Sequence, residues 1–298
     1  MGMKDIVWPP ENRTAAWGES PTAPPGGGTD GSTGGNGSNG RDGGSVAPAE
    51  AFRKTTGAKV WTVVFGIILA LMAYGSMMEL VAGVQVVFDP DGEEAQDLEN
   101  FAKQITGGVL WLNSIVLLVM FGLIPVAWVA LTRVRPHPGT WIYLHLVWQP
   151  DTWRRLAQGL GLGILLWLGV VVLSVIQLAI EGELSSIFDE NATADSPIVE
   201  AFLREITWPL AIFMALVAGF AEEVFFRGVL QRWIGWWGQA IAFGLTHAGY
   251  GTWEQIAFPF ALGLLFGWLV KRGHGLWLVI AAHFMFDFVQ FALALALG

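Results

Sequence analysis

The sequence predicts an all-α protein: a polytopic bundle of about seven transmembrane helices, preceded by a disordered amino-terminal tail. The composition is the first observation, since 53% of the 298 residues are hydrophobic and only 14% are charged, against about 25% charged residues in a typical soluble domain. The mean hydropathy of +0.51 agrees with it. A further observation is the count of 16 tryptophans. Trp is enriched at both surfaces of a lipid bilayer, so this count also favours a membrane protein.

The composition also excludes several classes of protein. A soluble α/β enzyme would carry more charge, and a net charge of -9 opposes binding to nucleic acid, which depends on clustered Lys and Arg. The absence of cysteine excludes disulfides, thiolate metal sites and a cysteine nucleophile. We therefore expect the lipid bilayer, and no nucleic acid, among the partners of this chain.

The chain divides into three regions. In the first, residues 1–50, small and polar residues dominate, and 10 of the 19 residues from 26 to 44 are Gly. Such a stretch cannot bury enough apolar surface to offset the entropy of ordering, so we expect a disordered tail. Residues 51–154 are expected to hold two transmembrane helices and an interfacial segment at 141–149. Residues 155–298 are expected to form the functional core.

Seven apolar stretches are candidates for membrane spans, because crossing the hydrocarbon takes about 20 mostly apolar residues. The fifth, 236–250, reaches only about 22 Å as a helix, less than the thickness of the hydrocarbon core. We therefore predict that this helix is tilted or stops at mid-depth, and that it forms one wall of a water-filled cavity. Glycine patterns at 159–163 and 263–267 indicate close helix packing. The seven stretches are approximately 60–83, 109–131, 160–180, 207–226, 236–250, 256–270 and 276–297.

Lysine and arginine lie mainly on one side of these spans. Basic residues lie before the first span, between the second and the third, at the end of the fourth and after the sixth. Only Lys103 and Arg204 lie on the opposite side. Because cytoplasmic loops carry the excess of positive charge, the amino terminus is predicted to be cytoplasmic. Seven spans would then place the carboxyl terminus outside. We expect an integral membrane protein of the plasma membrane.

Six ionisable side chains lie inside the apolar stretches near the carboxyl end. Each such group costs roughly 2.5–3.5 kcal/mol to insert into a membrane, so each is a functional hypothesis. Left unpaired, the six would cost on the order of 15 kcal/mol, comparable to the stability of a whole domain. We therefore expect them to meet around a hydrated cavity. They are Glu222, Glu223, Arg227, His247, His283 and Asp287.

The spacing of these residues indicates how they can meet. Glu223 and Arg227 are four apart on a helix and can pair, and Glu222 lies about 100° around that helix, outside the pair. His283 and Asp287 are also four apart, and a third segment supplies the second imidazole. A free carboxylate with two imidazoles could activate a water molecule. A buried network that fixes helix registry, or an ion or proton path, could use the same groups.

Three motifs around these residues resemble those of one family. EEVFFRG at 222–228 resembles E-E-x-x-x-R, FGLTH at 243–247 resembles F-x-x-x-H, and HFMFD at 283–287 resembles H-x-x-x-N or H-x-x-x-D. In this order they are similar to the motifs of the CPBP family, the CAAX-protease and bacteriocin-processing membrane proteases, also called the Abi family. The resemblance covers about residues 155–298, and it implies that this region is an intramembrane protease core.

The resemblance implies a role for each residue of the set. Glu222 would be the general base that activates water, and Glu223 with Arg227 would form a supporting ion pair. His247 would hold the water or stabilise the tetrahedral oxyanion.

His283 and Asp287 would complete the polar cluster, and Asp287 is the carboxylate form of a position that is often Asn in the family. Two chemistries stay open for the cofactor. Glu222, His247 and His283 could hold Zn²⁺ with one open position, or Glu222 could activate water with no metal. Other protease classes fit poorly, because H-E-x-x-H, a second intramembrane Asp and G-x-S-x-G are all absent from the sequence.

We therefore predict an intramembrane endopeptidase that acts on a peptide or membrane-protein substrate. The resemblance leaves that substrate open between prenylated peptides, bacteriocin leaders and other membrane proteins. The first alternative is a non-catalytic membrane scaffold or regulatory partner of the same fold, since a fold alone does not determine function. The second is an ion-coupled transporter, although the sequence lacks the paired interrupted helices of inverted repeats.

Overall fold

The structure is a computed structural model, and every regular element that it describes is a helix. The predicted all-α fold class is therefore confirmed. The predicted tail, residues 1–50, lies outside the described residues. The described residues are 56–89, 92–132, 139–182, 196–250 and 252–297.

Within those ranges the chain forms α-helices joined by short connections. Two π-helical turns interrupt them, Leu118–Leu123 between α3 and α4 and Val224–Leu230 between α8 and α9, and a 3-10 turn, Ala248–Tyr250, follows α9. The α-helices are α1 (Thr56–Phe88), α2 (Glu93–Ala102), α3 (Gly107–Leu117), α4 (Ile124–Thr132), α5 (Gly139–Tyr143), α6 (Thr152–Glu181), α7 (Pro197–Glu205), α8 (Trp208–Glu223), α9 (Gln231–Leu245), α10 (Glu254–Lys271) and α11 (Leu276–Leu297).

In the described part of the chain, 6 helical stretches are long and apolar enough to cross a membrane. The fourth of them is 43 residues long and contains both the fourth and the fifth stretches predicted from the sequence. The other predicted stretches each have one counterpart. The six are Thr56–Val86, Gly107–Thr132, Thr152–Ile180, Trp208–Tyr250, Glu254–Lys271 and Leu276–Ala296.

The long stretch Trp208–Tyr250 is not one straight helix. Gly235 has a φ of 76° and a ψ of 179°, a conformation that glycine adopts readily because it has no Cβ. In a continuous helix Arg227 and Phe243 would lie about 24 Å apart, but the Arg227 Cζ lies 4.4 Å from the centre of the Phe243 ring. The chain therefore doubles back at Gly235, which explains why the sequence predicts two spans here.

After the reversal, residues 236–247 pack against α10, and we call them the returning arm. Glycines make this contact close: a Cβ on Gly263 would lie 2.9 Å from the Ala240 Cα, and a Cβ on Gly244 would lie 2.9 Å from the Ile256 carbonyl oxygen. The close packing predicted at 263–267 is present.

The packing predicted for the glycines of α6 is present at two of three positions. Gly159 and Gly163 lie against the backbone of α11, where a Cβ would meet the carbonyl oxygens of Leu278 and Ala282. Gly161 faces open space, with nothing within 4 Å of the position of a Cβ. Small residues therefore let α6 and α11 pack backbone to backbone along one face.

Two short helices, α2 and α7, pack together at one end of the bundle. Their contact buries an apolar cluster that includes Ala102 and Ala201. The Ser196 hydroxyl, just before α7, donates a hydrogen bond of 2.6 Å to the Tyr250 carbonyl oxygen. These contacts connect α7 to the turn that ends the long stretch.

The segment predicted at the interface, 141–149, contains the end of α5 and a turn, and it is not among the candidate spans. Leu144 and Leu146 of this segment are buried in the protein. The Leu276 N–H donates to the His145 carbonyl oxygen at 3.4 Å. The segment therefore docks where α11 begins.

Candidate active site

A buried carboxylate is at the centre of the predicted site. Glu223 Oε1 accepts hydrogen bonds from Arg227 Nη1 and from His283 Nδ1, each at 2.8 Å. The side chains of Glu223 and Arg227 are completely buried, and that of His283 is 7% exposed. The ion pair predicted from the four-residue spacing is present, and it also fixes one nitrogen of an imidazole from α11.

Arg227 lies within a π-helical turn and among aromatic rings. The turn Val224–Leu230 starts directly after Glu223, and such turns are rare and frequent at functional sites. Aromatic faces attract a cation and offset part of the cost of burying it. The Arg227 Cζ lies 4.4 Å from the ring centre of Phe243, 5.5 Å from that of Phe266 and 5.9 Å from that of Phe226.

Glu222 occupies the less buried side of the cluster. Its side chain is 13% exposed, and its Oε2 lies 3.9 Å from His283 Nε2. This oxygen has no hydrogen-bond partner among the described residues. The structure therefore leaves Glu222 outside the buried ion pair, as the spacing predicts.

His283 connects the buried and the exposed sides of the cluster. Because Glu223 holds its Nδ1, its Nε2 is presented to Glu222 and to Asp287 Oδ2, which lies 3.5 Å away. The cluster thus contains three carboxylates and one guanidinium. A buried excess of negative charge is costly.

His247 lies beside this cluster and makes no hydrogen bond or ion pair with its five members in the structure. Its Nδ1 lies 2.9 Å from the carbonyl oxygen of Phe243, on its own helix. The Phe243 ring separates the two imidazoles, with its centre 4.9 Å from that of His247 and 5.9 Å from that of His283. The returning arm thus forms a wall beside the cluster, and the hydrated cavity stays a prediction.

The arrangement does not fit the zinc site considered from the sequence. The described residues contain no group of three or more His, Asp or Glu side chains placed to hold a metal ion. His283 is turned by its contact with Glu223, and His247 is turned by its contact with Phe243. Because Glu222 and the two imidazoles do not converge on one point, no step proposed below uses a metal.

A second polar contact, on another side of the bundle, has no signal in the sequence. Arg232, one of the basic residues at the end of the predicted fourth span, donates to the Tyr143 carbonyl oxygen at 2.6 Å and to His145 Nε2 at 2.8 Å. Because Arg only donates, His145 Nε2 accepts and the ring is neutral. Burial, and then the charge of Arg232, lower the pKa of His145 to about 4.

Comparison with known proteins shows that the segment carrying this site is similar to one family. Residues 204–289 match the Rce1-like family, described as type II CAAX prenyl endopeptidase Rce1-like. All six predicted site residues lie within the matched segment. The resemblance inferred from the three motifs is therefore confirmed over this segment, which is similar to type II CAAX prenyl endopeptidases.

One relative covers a larger part of the chain. The uncharacterized protein YpbD of Bacillus subtilis (strain 168) is 30% identical over 126 residues, which is 42% of this chain and 66% of that protein. The chain thus spans just under two thirds of this relative. No solved structure matches the chain significantly.

Proposed function

We propose that this chain is an intramembrane endopeptidase in which Glu222 is the general base that activates water. One observation carries the proposal: Glu223 is completely buried and accepts hydrogen bonds from Arg227 and His283, whereas the neighbouring Glu222 is 13% exposed and lies 3.9 Å from His283 Nε2, beyond a direct hydrogen bond. A general base needs a carboxylate that is free to take a proton. The family match over residues 204–289 supports peptide hydrolysis as the class of reaction.

In the proposed reaction, Glu222 takes a proton from a water molecule as the water oxygen attacks the carbonyl carbon of the scissile peptide bond. The new C–O bond forms while the carbonyl electrons move onto the oxygen, which gives a tetrahedral oxyanion. Collapse of this intermediate breaks the C–N bond, and the leaving amine receives the proton held by Glu222. The new carboxyl group releases its proton to solvent, and Glu222 is again ionised.

His283 would hold the attacking water next to the base. Its Nε2 lies 3.9 Å from Glu222 Oε2 and 3.5 Å from Asp287 Oδ2. These distances are longer than direct hydrogen bonds and suit groups bridged by water. Glu223 prevents the ring from turning, because it holds the opposite nitrogen at 2.8 Å.

His247 has two roles under the family resemblance, and its tautomer favours one. A backbone carbonyl can only accept, so the 2.9 Å contact with the Phe243 oxygen places the proton on His247 Nδ1. The Nε2 of a neutral ring then accepts a hydrogen bond. His247 would therefore hold the water or a substrate N–H, and it would not donate to the oxyanion.

The substrate that we propose is a peptide presented from the membrane. The name of the matched family specifies a prenyl endopeptidase. We propose for this chain a peptide substrate, without specifying that the peptide is prenylated. Two reporters of one sequence, with and without a prenylated cysteine, separate the two possibilities by their relative kcat/KM.

The test of the proposal is turnover of such a reporter by purified protein. Glu222→Gln keeps the shape of the side chain and removes the base, so we expect kcat to fall by about 100-fold or more while Tm is unchanged. Glu93→Gln is the matched control, because Glu93 is an exposed carboxylate of α2. Full turnover by folded Glu222→Gln would end the proposal and favour a non-catalytic partner of the same fold.

We further propose that the amino terminus faces the cytoplasm, which the distribution of Lys and Arg supports. The chain contains no cysteine, so single-cysteine variants can be labelled without background. In intact cells, an impermeant maleimide should label Lys103→Cys and should not label Arg272→Cys until the membrane is opened. The reverse result would invert the orientation.

A further inference from the structure

The returning arm carries His247, but Gly235 separates it from the helix that carries Glu222. Gly235 has a φ of 76° and a ψ of 179°, outside the helical region, so the chain is kinked between the two parts. The helix before it therefore does not determine the position of the arm. Contacts with α10, and the contact of Phe243 with Arg227 in the π-helical turn, supply that position.

Two side chains of the arm donate hydrogen bonds to the backbone of α10. Trp236 Nε1 donates to the Leu264 carbonyl oxygen at 2.6 Å, and Gln239 Nε2 donates to the Gly263 carbonyl oxygen at 2.7 Å. Gln239 is completely buried and also donates to the Trp236 carbonyl oxygen at 3.1 Å. We call these two residues the α10 clamp. Hydrogen bonds to particular backbone atoms fix the position of the arm along the axis of α10 as well as its distance from α10. Apolar contacts alone fix only the distance.

Glycines of α10 provide the space for the clamp. A Cβ on Gly267 would lie 2.8 Å from Trp236 Cδ1 and would also meet Gln239 Nε2. Real Cβ atoms essentially never approach so closely, so these side chains occupy space that only glycine leaves open. The clamp is thus a close fit between the arm and α10.

The clamp is connected to His247 along the arm. Gln239, Phe243 and His247 are spaced four apart, so each lies one turn after the previous one. The Phe243 carbonyl oxygen holds His247 Nδ1 at 2.9 Å, and the Phe243 ring lies 4.4 Å from the Arg227 Cζ. A shift of the arm along α10 would therefore move the Phe243 carbonyl and the imidazole together.

We propose that Gln239, assisted by Trp236, is a positioning residue that sets the place of His247 relative to Glu222. The inference rests on the proposed function, since it gives a role in that reaction to a residue outside the three motifs. A misplacement of about 1 Å in a catalytic arrangement can reduce rate by about 100-fold. Gln239 acts through His247 and does not touch the reacting atoms.

Gln231 provides a matched control for the test. Its Nε2 also donates to an α10 carbonyl, that of Gly267 at 3.0 Å, but it precedes Gly235 and is outside the arm. Replacement by Met keeps the length of the side chain and removes the amide. We expect Gln239→Met to lower kcat about tenfold or more with KM nearly unchanged, and Gln231→Met to keep kcat. Equal losses of kcat in the two variants would overturn the proposal.

A double variant shows whether Gln239 acts through His247. In a His247→Ala background, Gln239→Met should have no further effect on kcat, because the group that it positions is gone. A further tenfold loss in that background would show that Gln239 acts elsewhere, and would overturn the proposal. Trp236→Phe, which keeps an aromatic ring and removes the N–H, should shift kcat in the same direction as Gln239→Met.

The tautomer of His247 gives a readout that does not depend on turnover. In ¹⁵N NMR of labelled protein, the resonances absent from His247→Ala identify this ring among the 5 histidines. The parent protein and Gln231→Met should show the Nδ1-protonated form, and Gln239→Met should show exchange between tautomers. An unchanged tautomer in Gln239→Met contradicts the positioning role, whereas full turnover by Glu222→Gln contradicts the proposed function alone.

Discussion

Glu223 and His283 lie 60 residues apart in the chain, yet Glu223 Oε1 and His283 Nδ1 are 2.8 Å apart. The contact joins α8 to α11 where Gly219 allows close approach, since a Cβ there would lie 2.9 Å from the Phe284 backbone nitrogen. The same carboxylate oxygen accepts a hydrogen bond from Arg227. One buried carboxylate therefore holds a guanidinium on its own helix and an imidazole on another.

Removal of this charge should destabilise the protein. Glu223→Gln removes the charge that Arg227 contacts directly at 2.8 Å, and loss of one partner of a buried ion pair costs about 3–5 kcal/mol. We expect a lower Tm in detergent and loss of turnover. Glu222→Gln, one residue away, should lose turnover at an unchanged Tm.

The double variant Glu223→Gln/Arg227→Met provides the control. It removes both charges of the pair, so neither partner stays buried without the other, and it should be less destabilised than the sum of the single variants. Losses of Tm that simply add would mean that the two residues contribute independently to the stability of the fold.

Asp287→Asn should be tolerated where Asp287→Leu is not. The amide keeps an oxygen beside His283 Nε2, which lies 3.5 Å from the carboxylate in the parent protein, and it removes one of three negative charges from the cluster. We expect turnover within about tenfold of the parent and an equal or higher Tm. Leucine offers no acceptor, so turnover should fall about 100-fold, the scale of one lost active-site polar group. Equal turnover by both variants would show that the acceptor has no role.

The sequence predicts those parts of the site that depend on position along one helix. The pair of Glu223 with Arg227 follows from a spacing of four residues, and the free position of Glu222 follows from the rotation per residue. The bond from Glu223 to His283 could not be predicted, because it depends on how closely α8 approaches α11. The sequence carries no direct measure of that approach.

The returning arm shows the same limit. Its shortness predicts a broken or tilted helix, and Gly235 supplies the break. The direction of the chain after a glycine with positive φ depends on tertiary contacts, here those of the buried Gln239 with α10. The sequence also groups His247 with the other charges, but its ring is turned to the Phe243 carbonyl of its own helix.

His145 should make stability depend on pH. The pKa of His145 in the folded protein is about 4, below the usual histidine value of 6.5, so between these two pH values the unfolded chain binds the proton more readily. Stability from this group is therefore present above about pH 6.5 and is lost as the pH falls towards 4. The larger cause is burial, which disfavours the charged ring, and the charge of Arg232 adds to it. His145 Nε2 also accepts from Arg232 at 2.8 Å, and a protonated ring cannot accept.

The measurement is the difference in Tm between pH 7 and pH 4.5 for the parent and for His145→Gln. Glutamine can offer an oxygen to Arg232 and does not titrate. We expect the parent to lose more Tm on acidification than the variant, since all other groups are shared. The same loss in both would show that His145 does not titrate in this window.

Gly235→Ala should unfold more readily and hydrolyse more slowly, although no atom blocks the added methyl group. Nothing lies within 4 Å of a Cβ at Gly235, so any effect comes from the backbone, where φ is 76°. A side chain in that region of φ and ψ costs about 1–3 kcal/mol.

Gly161→Ala is the matched control, because Gly161 also faces open space but lies inside α6, where Ala is favoured over Gly by about 0.5–1 kcal/mol. We expect opposite shifts of Tm in the two variants and a lower kcat in Gly235→Ala alone, because strain at the reversal displaces the arm that carries His247. A gain of Tm in both variants would show that the arm does not need the reversed backbone at Gly235.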